Sequence, residues 1–340
     1  MIKMSEIAEL ANVSVATVSL ALNNKKGVGE KTRKTILNIA KEHGYMIPKK
    51  STDEHQQLNL QFIVAFNDKV LNKDYRTQPF FSSLIDIIIN YSQHETINFS
   101  ISSVKSNDLI EQMKKITNND FYDGTIVLST NLSNTSIDSC IESSQKPIVF
   151  LDCIHKTANA NIVGINNWQG VCLAIEHLAE NGHQRMGYVQ SDTRIKNFEE
   201  RKEAFQSYTK EFGISFNEEN TITLSPNQID VQEETIKQLN DLTKLPTAFF
   251  CENDALAISF VKSLQKMGYN VPDDVSVIGF DNVRESMVLS PELTTVSIDQ
   301  EHFVMTAVEQ LLFSLENSSL IRHTSINCSL VERESVKNLN

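Results

Sequence analysis

Apolar residues near the start of the chain recur at Met4, Ile7, Ala8, Leu10 and Ala11, the spacing of one helical face. After Asn12-Val13, Ser14 stands where an N-cap belongs, and a second run continues through Val18, Leu20, Ala21 and Leu22 to Asn23. A third helix is predicted over about residues 30–43, with Thr32, Ile36, Ile39 and Ala40 inward and Gly44 as its stop. Two short helices joined by a tight connection form a helix-turn-helix pattern. Residues 1–47 therefore read as a small all-α DNA-binding head.

Residues 48–57 are polar and lack apolar periodicity, so 48–60 reads as a hinge or linker. Beyond it the pattern changes to short apolar runs alternating with helix-length segments. Strands are predicted at 62–66, 99–102, 124–128, 148–151, 162–165, 186–189, 248–251 and 275–280. Helices are predicted at 80–94, 107–118, 168–181, 199–212, 230–242, 254–268 and 301–315. Such alternation implies βαβ units, and residues 61–340 hold enough of them for two doubly wound parallel sheets.

Charge sharpens this division. The chain carries −12 overall, yet residues 1–50 hold nine Lys/Arg against four Glu, leaving the remainder at −17. A basic head on an acidic body confines phosphate contact to one end. The five cysteines are widely spaced with no Cys-x-x-Cys pair, which points to reduced thiols rather than a disulfide or zinc framework. The opening residues lead at once into a charged helix, and no stretch approaches the length of a membrane span. A cytoplasmic location, with no metal and no cofactor, is the expectation.

Residues 5–23, from Ser5-Glu6-Ile7-Ala8 through Leu20-Ala21-Leu22-Asn23, closely resemble the head of the lactose/galactose repressor (LacI/GalR) family. Gln78-Pro79-Phe80-Phe81 is similar to the family's "NPFF" segment, with Gln78 in place of the usual asparagine. Gly182-His183 resembles its helix-to-strand turn, Val277-Ile278-Gly279-Phe280-Asp281-Asn282 its "VxG[FY]D[DN]" segment, and Leu293-Thr294-Thr295-Val296 its "LTTV" segment. Leu330-Val331-Glu332-Arg333-Glu334-Ser335 resembles the closing "LVxRxS". The resemblance implies a repressor with a core like a periplasmic sugar-binding protein in two lobes. Lobe one would hold about residues 61–160 and 290–320, and lobe two about 161–289 and 321–335.

In the head, the resemblance implies that Val15, Ala16 and Leu20 read base edges in the major groove. Leu20 stands where the family very often has Arg; it offers a thymine methyl an apolar contact but guanine no bidentate partner, or else faces the head's own core. Thr17, Ser19, Asn23, Lys25, Lys31 and Arg33 read as phosphate positioners. The hinge departs from the family pattern: Thr52 and His55 fall where an alanine and a wedging leucine belong, with Asp53 and Glu54 between them. Leu58 is a substitute wedge, and a plain flexible tether is an equal reading.

In the core, the family's cleft positions map onto Phe80, Phe81, Asp152, Arg201, Asn253 and Asp281, with Trp168 as a further ligand-binding candidate. Carboxylates, amides and Arg suit paired hydroxyls, and an aromatic ring suits the C–H face of a sugar. Each has a plainer alternative: Asn253 and Asp281 as helix caps, Asp152 as a turn residue, Phe80 and Phe81 as core, Arg201 paired with Glu199 or Glu200, Trp168 as packing. Hydrolase, metalloprotease and nucleotide-binding signatures are absent from the sequence, which argues against an enzyme. The expected function is a homodimeric regulator of a near-palindromic operator, controlled by a small sugar-like effector. The alternatives are control by a protein partner, or a sugar-binding module without gene regulation.

Overall fold

The computed structural model describes residues 4–22, 27–42, 57–67, 70–94, 97–117, 119–317 and 319–340, in two compact units, Met1–Gln57 and Leu58–Asn340.

The first unit contains α1 (Met4–Leu10), α2 (Val15–Leu22) and α3 (Glu30–Glu42). Asn12 takes a left-handed conformation with φ 50°, and the Thr17 amide donates to Ser14 Oγ at 3.1 Å, capping α2 as the sequence predicts. Ile7, Val18, Ile36 and Ala40 close a small core with no exposure to water. Asn23 and Lys25 lie outside the described residues, as do Thr52, Asp53, Glu54 and His55 of the expected hinge.

The second unit begins with β1 (Leu58–Phe66), α4 (Pro79–His94), β2 (Ile97–Lys105), α5 (Leu109–Thr117), β3 (Gly124–Leu128), α6 (Asn134–Ser143), β4 (Ile148–Leu151) and β5 (Asn161–Ile165). It continues through α7 (Asn167–Glu180), β6 (Arg185–Ser191), α8 (Lys196–Glu211), β7 (Ser215–Leu224), α9 (Glu233–Asp241), β8 (Ala248–Cys251), α10 (Asp254–Lys266) and β9 (Ser276–Asp281). The chain finishes with β10 (Thr294–Ile298), α11 (Gln300–Glu316), β11 (His323–Ile326) and β12 (Cys328–Val331). One sheet has the order β11-β5-β4-β3-β1-β2 and the other β12-β10-β9-β8-β6-β7. Their ladders are parallel except for β12, which runs antiparallel to β10. Central strands such as β3, β4 and β9 are buried along their whole length, as strands covered by helices on both faces must be.

Four expected boundaries shift. The hinge ends at Gln57, because Leu58 pairs with Ile97 in the first ladder and Leu60 is fully buried. Leu58 is thereby committed to a strand and is not a minor-groove wedge. Residues 161–165 belong to the first lobe, where β5 pairs with β4, and 294–298 to the second, where β10 pairs with β9. The chain crosses between lobes at β5 to α7, β10 to α11 and β11 to β12, so 323–326 returns to the first sheet. The physical reason is that each lobe completes its sheet with strands supplied after a crossing, and sequence texture does not mark which sheet a short apolar run joins.

Candidate ligand cleft

Open parallel sheets present ligand groups at the carboxyl ends of their strands, and here Asp152 and Glu252 directly follow β4 and β8, while Asp281 ends β9. Asp152 has φ 63° and Asp281 φ 113°, conformations that side chains rarely adopt and that surrounding bonds must hold. Between the lobes lie two adjoining chambers. The outer, of about 310 Å³, is walled by Phe80, Phe81, Asn227, Asn253, Asp281 and Glu285, among others. The inner, of about 50 Å³, brings together Asp152, Asn197, Arg201, Asn253 and Asp281 with the same two rings. Phe80 and Phe81 meet edge to face at 5.3 Å, the former half-buried and the latter buried.

Arg201 is 3% exposed and sits at the centre of a polar network. Its Nε donates to Asn167 Oδ1 at 2.9 Å and its Nη1 to the Glu252 carbonyl at 2.5 Å, with Asp281 Oδ1 at 3.4 Å. The guanidinium lies 3.6 Å from the Phe280 ring centroid. Neither Glu199 nor Glu200 is its partner; Glu199 bonds Lys196 and Glu200 accepts from Asn167. On the other lobe, Asp152 accepts from Thr130 Oγ1 at 2.5 Å, and Asn197 Nδ2 reaches across the cleft to it at 2.8 Å. Burial pushes the Asp152 carboxyl up to about 6, against the opposing pull of Thr130 and Arg201. Burial likewise lifts Asp281 to about 7, with Arg201 opposing.

Asn253 caps α10, accepting from the Leu256 amide at 3.0 Å, and lines both chambers as well, so its two readings coexist. Asp281 caps no helix. Trp168 is corrected: it lines neither chamber but stands 38% exposed on α7 with its ring 6.0 Å from Tyr208. Helical geometry explains this, since Asn167, one position earlier, takes the inward face and binds Arg201.

Sequence reasoning missed several groups. Glu252, fully buried, accepts from Tyr188 Oη at 2.8 Å, the Ser191 amide at 2.7 Å and Arg194 Nη1 at 2.8 Å. Asp254 accepts from Thr295 Oγ1 at 2.6 Å and the Val283 amide at 2.9 Å. Burial, with Asp281 nearby, lifts its carboxyl to about 8. A Cβ at Gly279 would stand 2.1 Å from Asp254 Oδ1, which is why the β9 segment needs glycine there. At the cleft mouth Gln78 Nε2 donates across the lobes to Asn227 Oδ1 at 3.0 Å, and Asn72 Nδ2 reaches the same oxygen at 3.3 Å. The signal for the strand-end acids was the run Glu252-Asn253-Asp254 directly after the apolar β8.

In the head, Val15 is 47% exposed and Ala16 is exposed. Leu20 is half-buried and, among the described residues, is not part of the head's core. Ser19 is half-buried and Lys31 exposed. Two positioners change role. The Thr17 hydroxyl lies 2.8 Å from Ser14 Oγ, inside the cap of α2. Arg33 Nη1 donates to the Ala21 carbonyl at 3.1 Å and the Leu20 carbonyl at 3.5 Å, so it caps the negative end of α2 instead of standing clear as a phosphate arm.

Residues 3–47 match the family model for bacterial regulatory proteins of the lacI family, and residues 175–336 that of the periplasmic binding protein-like domain. The chain is 27% identical over 343 residues to the HTH-type transcriptional repressor PurR of Photobacterium profundum, covering all of both chains. It is 29% identical over 346 residues to the probable HTH-type transcriptional repressor ExuR of Bacillus subtilis, covering 100% of this chain and 99% of that one. Among solved structures it is similar to the lac repressor dimer bound to operator and the anti-inducer ONPF, with TM-score 0.70, 21% identity and 99% of each chain covered. The transcriptional regulator CelR in complex with cellobiose aligns at TM-score 0.69 and 20% identity, over 98% of this chain and 100% of that one. A LacI family regulator from Enterococcus faecium with bound ribose aligns at TM-score 0.68 and 22% identity, over 83% and 100%.

Proposed function

This chain belongs to the lacI family of bacterial regulatory proteins and is a DNA-binding transcriptional regulator; from that premise we propose that a small sugar or sugar derivative, held between the lobes, sets its operator affinity. Phe80, Phe81, Asp152, Arg201, Asn253 and Asp281 are the groups that hold it. One observation carries this reading. The cavity is completed only by both lobes, with Asp152 and the two Phe rings from the first and Arg201, Asn253 and Asp281 from the second. A ligand there favours the closed arrangement by the difference in its affinity for the two states, and that difference is what operator binding senses. The ribose and cellobiose in the structural neighbours support the choice of a sugar.

Val15, Ala16 and Leu20 face base edges in this reading, and Ser19, Asn23, Lys25 and Lys31 hold phosphates, as a homodimer engages a near-palindromic operator. Among the described residues no single helix is long and apolar enough to cross a membrane. A cytoplasmic regulator without catalytic activity fits the whole. The test is a thermal-shift panel on the full chain with neutral sugars, sugar phosphates, polyols and nucleobases, beside Arg201→Ala. An effector at about 100 times its Kd adds about 2.7 kcal/mol, a shift of a few degrees that the variant abolishes. A shift that persists in Arg201→Ala places the ligand elsewhere.

A further inference from the structure

Glu252 lines neither chamber, yet it holds the groups behind the inner one from two ends. It directly follows β8 and is fully buried. Its backbone carbonyl accepts from Arg201 Nη1 at 2.5 Å. Its carboxylate accepts from Arg194 Nη1 with both oxygens, each at 2.8 Å. The same carboxylate accepts from Tyr188 Oη at 2.8 Å and from the Ser191 amide at 2.7 Å. Both oxygens are filled by the protein's own donors. Ser191 ends β6 and Arg194 stands two residues before α8 begins, so the carboxylate pins the β6–α8 connection against the end of β8. Ile195, at the N-cap of α8, makes no side-chain cap bond. The pinned segment supplies Ile195, Asn197, Phe198 and Arg201 to the inner chamber. The guanidiniums of Arg194 and Arg201 stand 5.9 Å and 5.8 Å from the centroid of the Phe198 ring.

We infer that Glu252 is a positioning residue for the ligand site, which sets the place and orientation of Arg201 without touching the ligand. The inference rests on the reading above that Arg201 meets the ligand, and it holds whichever ligand that is. Stability alone does not call for a buried ion pair, since well-packed apolar residues in such a place are often as stable or more so. Fixed geometry is what the pair adds. A guanidinium donates along set directions in its own plane. Arg201 commits Nε to Asn167 and Nη1 to the Glu252 carbonyl, and these bonds fix that plane. Glu252 thus holds Arg201 directly and, through Arg194 and Ser191, holds the start of the helix that carries it.

The experiment uses the full chain with Glu252→Gln and, because a buried substitution can unfold a protein, the partly exposed Arg194→Ala. The Nε–H signal of Arg201 in a proton–nitrogen NMR spectrum is identified by its loss in Arg201→Lys. In both variants this proton should exchange with water about tenfold faster than in the wild type. Arg194→Lys, which restores a point charge to the pair, should recover most of the difference. An unchanged exchange rate in either folded variant overturns the inference. Calorimetric titration with ribose, galactose and cellobiose gives the second readout. Any of them that binds wild type should bind each variant about tenfold more weakly. Undiminished affinity beside a lowered melting point would leave Glu252 a structural role only, and would also overturn the inference. If no sugar binds wild type while the Arg201 proton exchanges faster in the variants, the sugar reading falls and the positioning of Arg201 stands.

Discussion

Asn197 Nδ2 lies 2.8 Å from Asp152 Oδ1, a bond that ties helix α8 of the second lobe to the carboxyl end of β4 in the first. Asn197→Ala should leave both lobes folded and loosen their closure by about 1–2 kcal/mol. Hydrogen exchange should show faster uptake around Thr130 and Asp152, with the strands of the second sheet unchanged. Uniform uptake in both proteins would remove this bond from the closure argument.

Arg201 is bound from three sides and covers Phe280, so Arg201→Ala leaves the buried Asp281 and Asn167 without their guanidinium partner. Truncating one partner of a buried charged network costs about 3 kcal/mol. Urea unfolding can be followed by fluorescence of the sole tryptophan, Trp168, which sits on the neighbouring helix. A loss under about 1 kcal/mol would show that the network repacks.

The buried acids predict a pH profile. Asp152, Asp281 and Asp254 are held at about 6, 7 and 8 by burial, against about 4 in an unfolded chain. Between those values the folded state binds more protons than the unfolded one, so these groups lower stability as pH rises from about 4 to about 8. Asp254→Asn, which removes the highest of the three, should flatten the fall in melting temperature between pH 6 and 8. An unchanged slope would mean Asp254 is ionised throughout.

Gln78 reaches Asn227 across the mouth of the cleft, one methylene farther than an asparagine could. Gln78→Asn should cut this bond, at about 1 kcal/mol, and raise deuterium uptake over residues 225–230. Equal uptake would make the longer side chain incidental.

Leu20 lies outside the head's core among the described residues, and the proposed reading sets it against base edges. Leu20→Arg should shift the operator recovered by selection towards guanine at one position per half-site, worth about 1–3 kcal/mol of discrimination. Recovery of the same operator would show that Leu20 does not read bases.

The head was legible because its signals are local: Ser14 before α2, the apolar face of α3 and the short connection are all properties of neighbouring residues. Most inner strands were legible too, as apolar runs between polar turns, but β10, β11 and β12 were not among those predicted. β7 escaped notice because an edge strand such as Ser215–Leu224 needs few apolar residues, and α6 because Asn134–Ser143 is rich in serine and polar groups. Its helix is set by the Ser133 cap and by Ile137 and Cys140 facing the core.

Residue type and order along the chain determined the basic head, the acidic α/β body and the placing of Asp152, Asn253 and Asp281 at strand or helix ends. Tertiary structure alone decided which sheet β5, β10 and β11 join, that Trp168 turns away while Asn167 turns in, and that Arg33 caps α2. It also placed Glu285, unmarked in the sequence, on the wall of the outer chamber. The division has one cause. Helical periodicity, capping and strand hydrophobicity act over a few residues, whereas cleft partners such as Asp152 and Asn197 stand 45 positions apart and meet only when two lobes close.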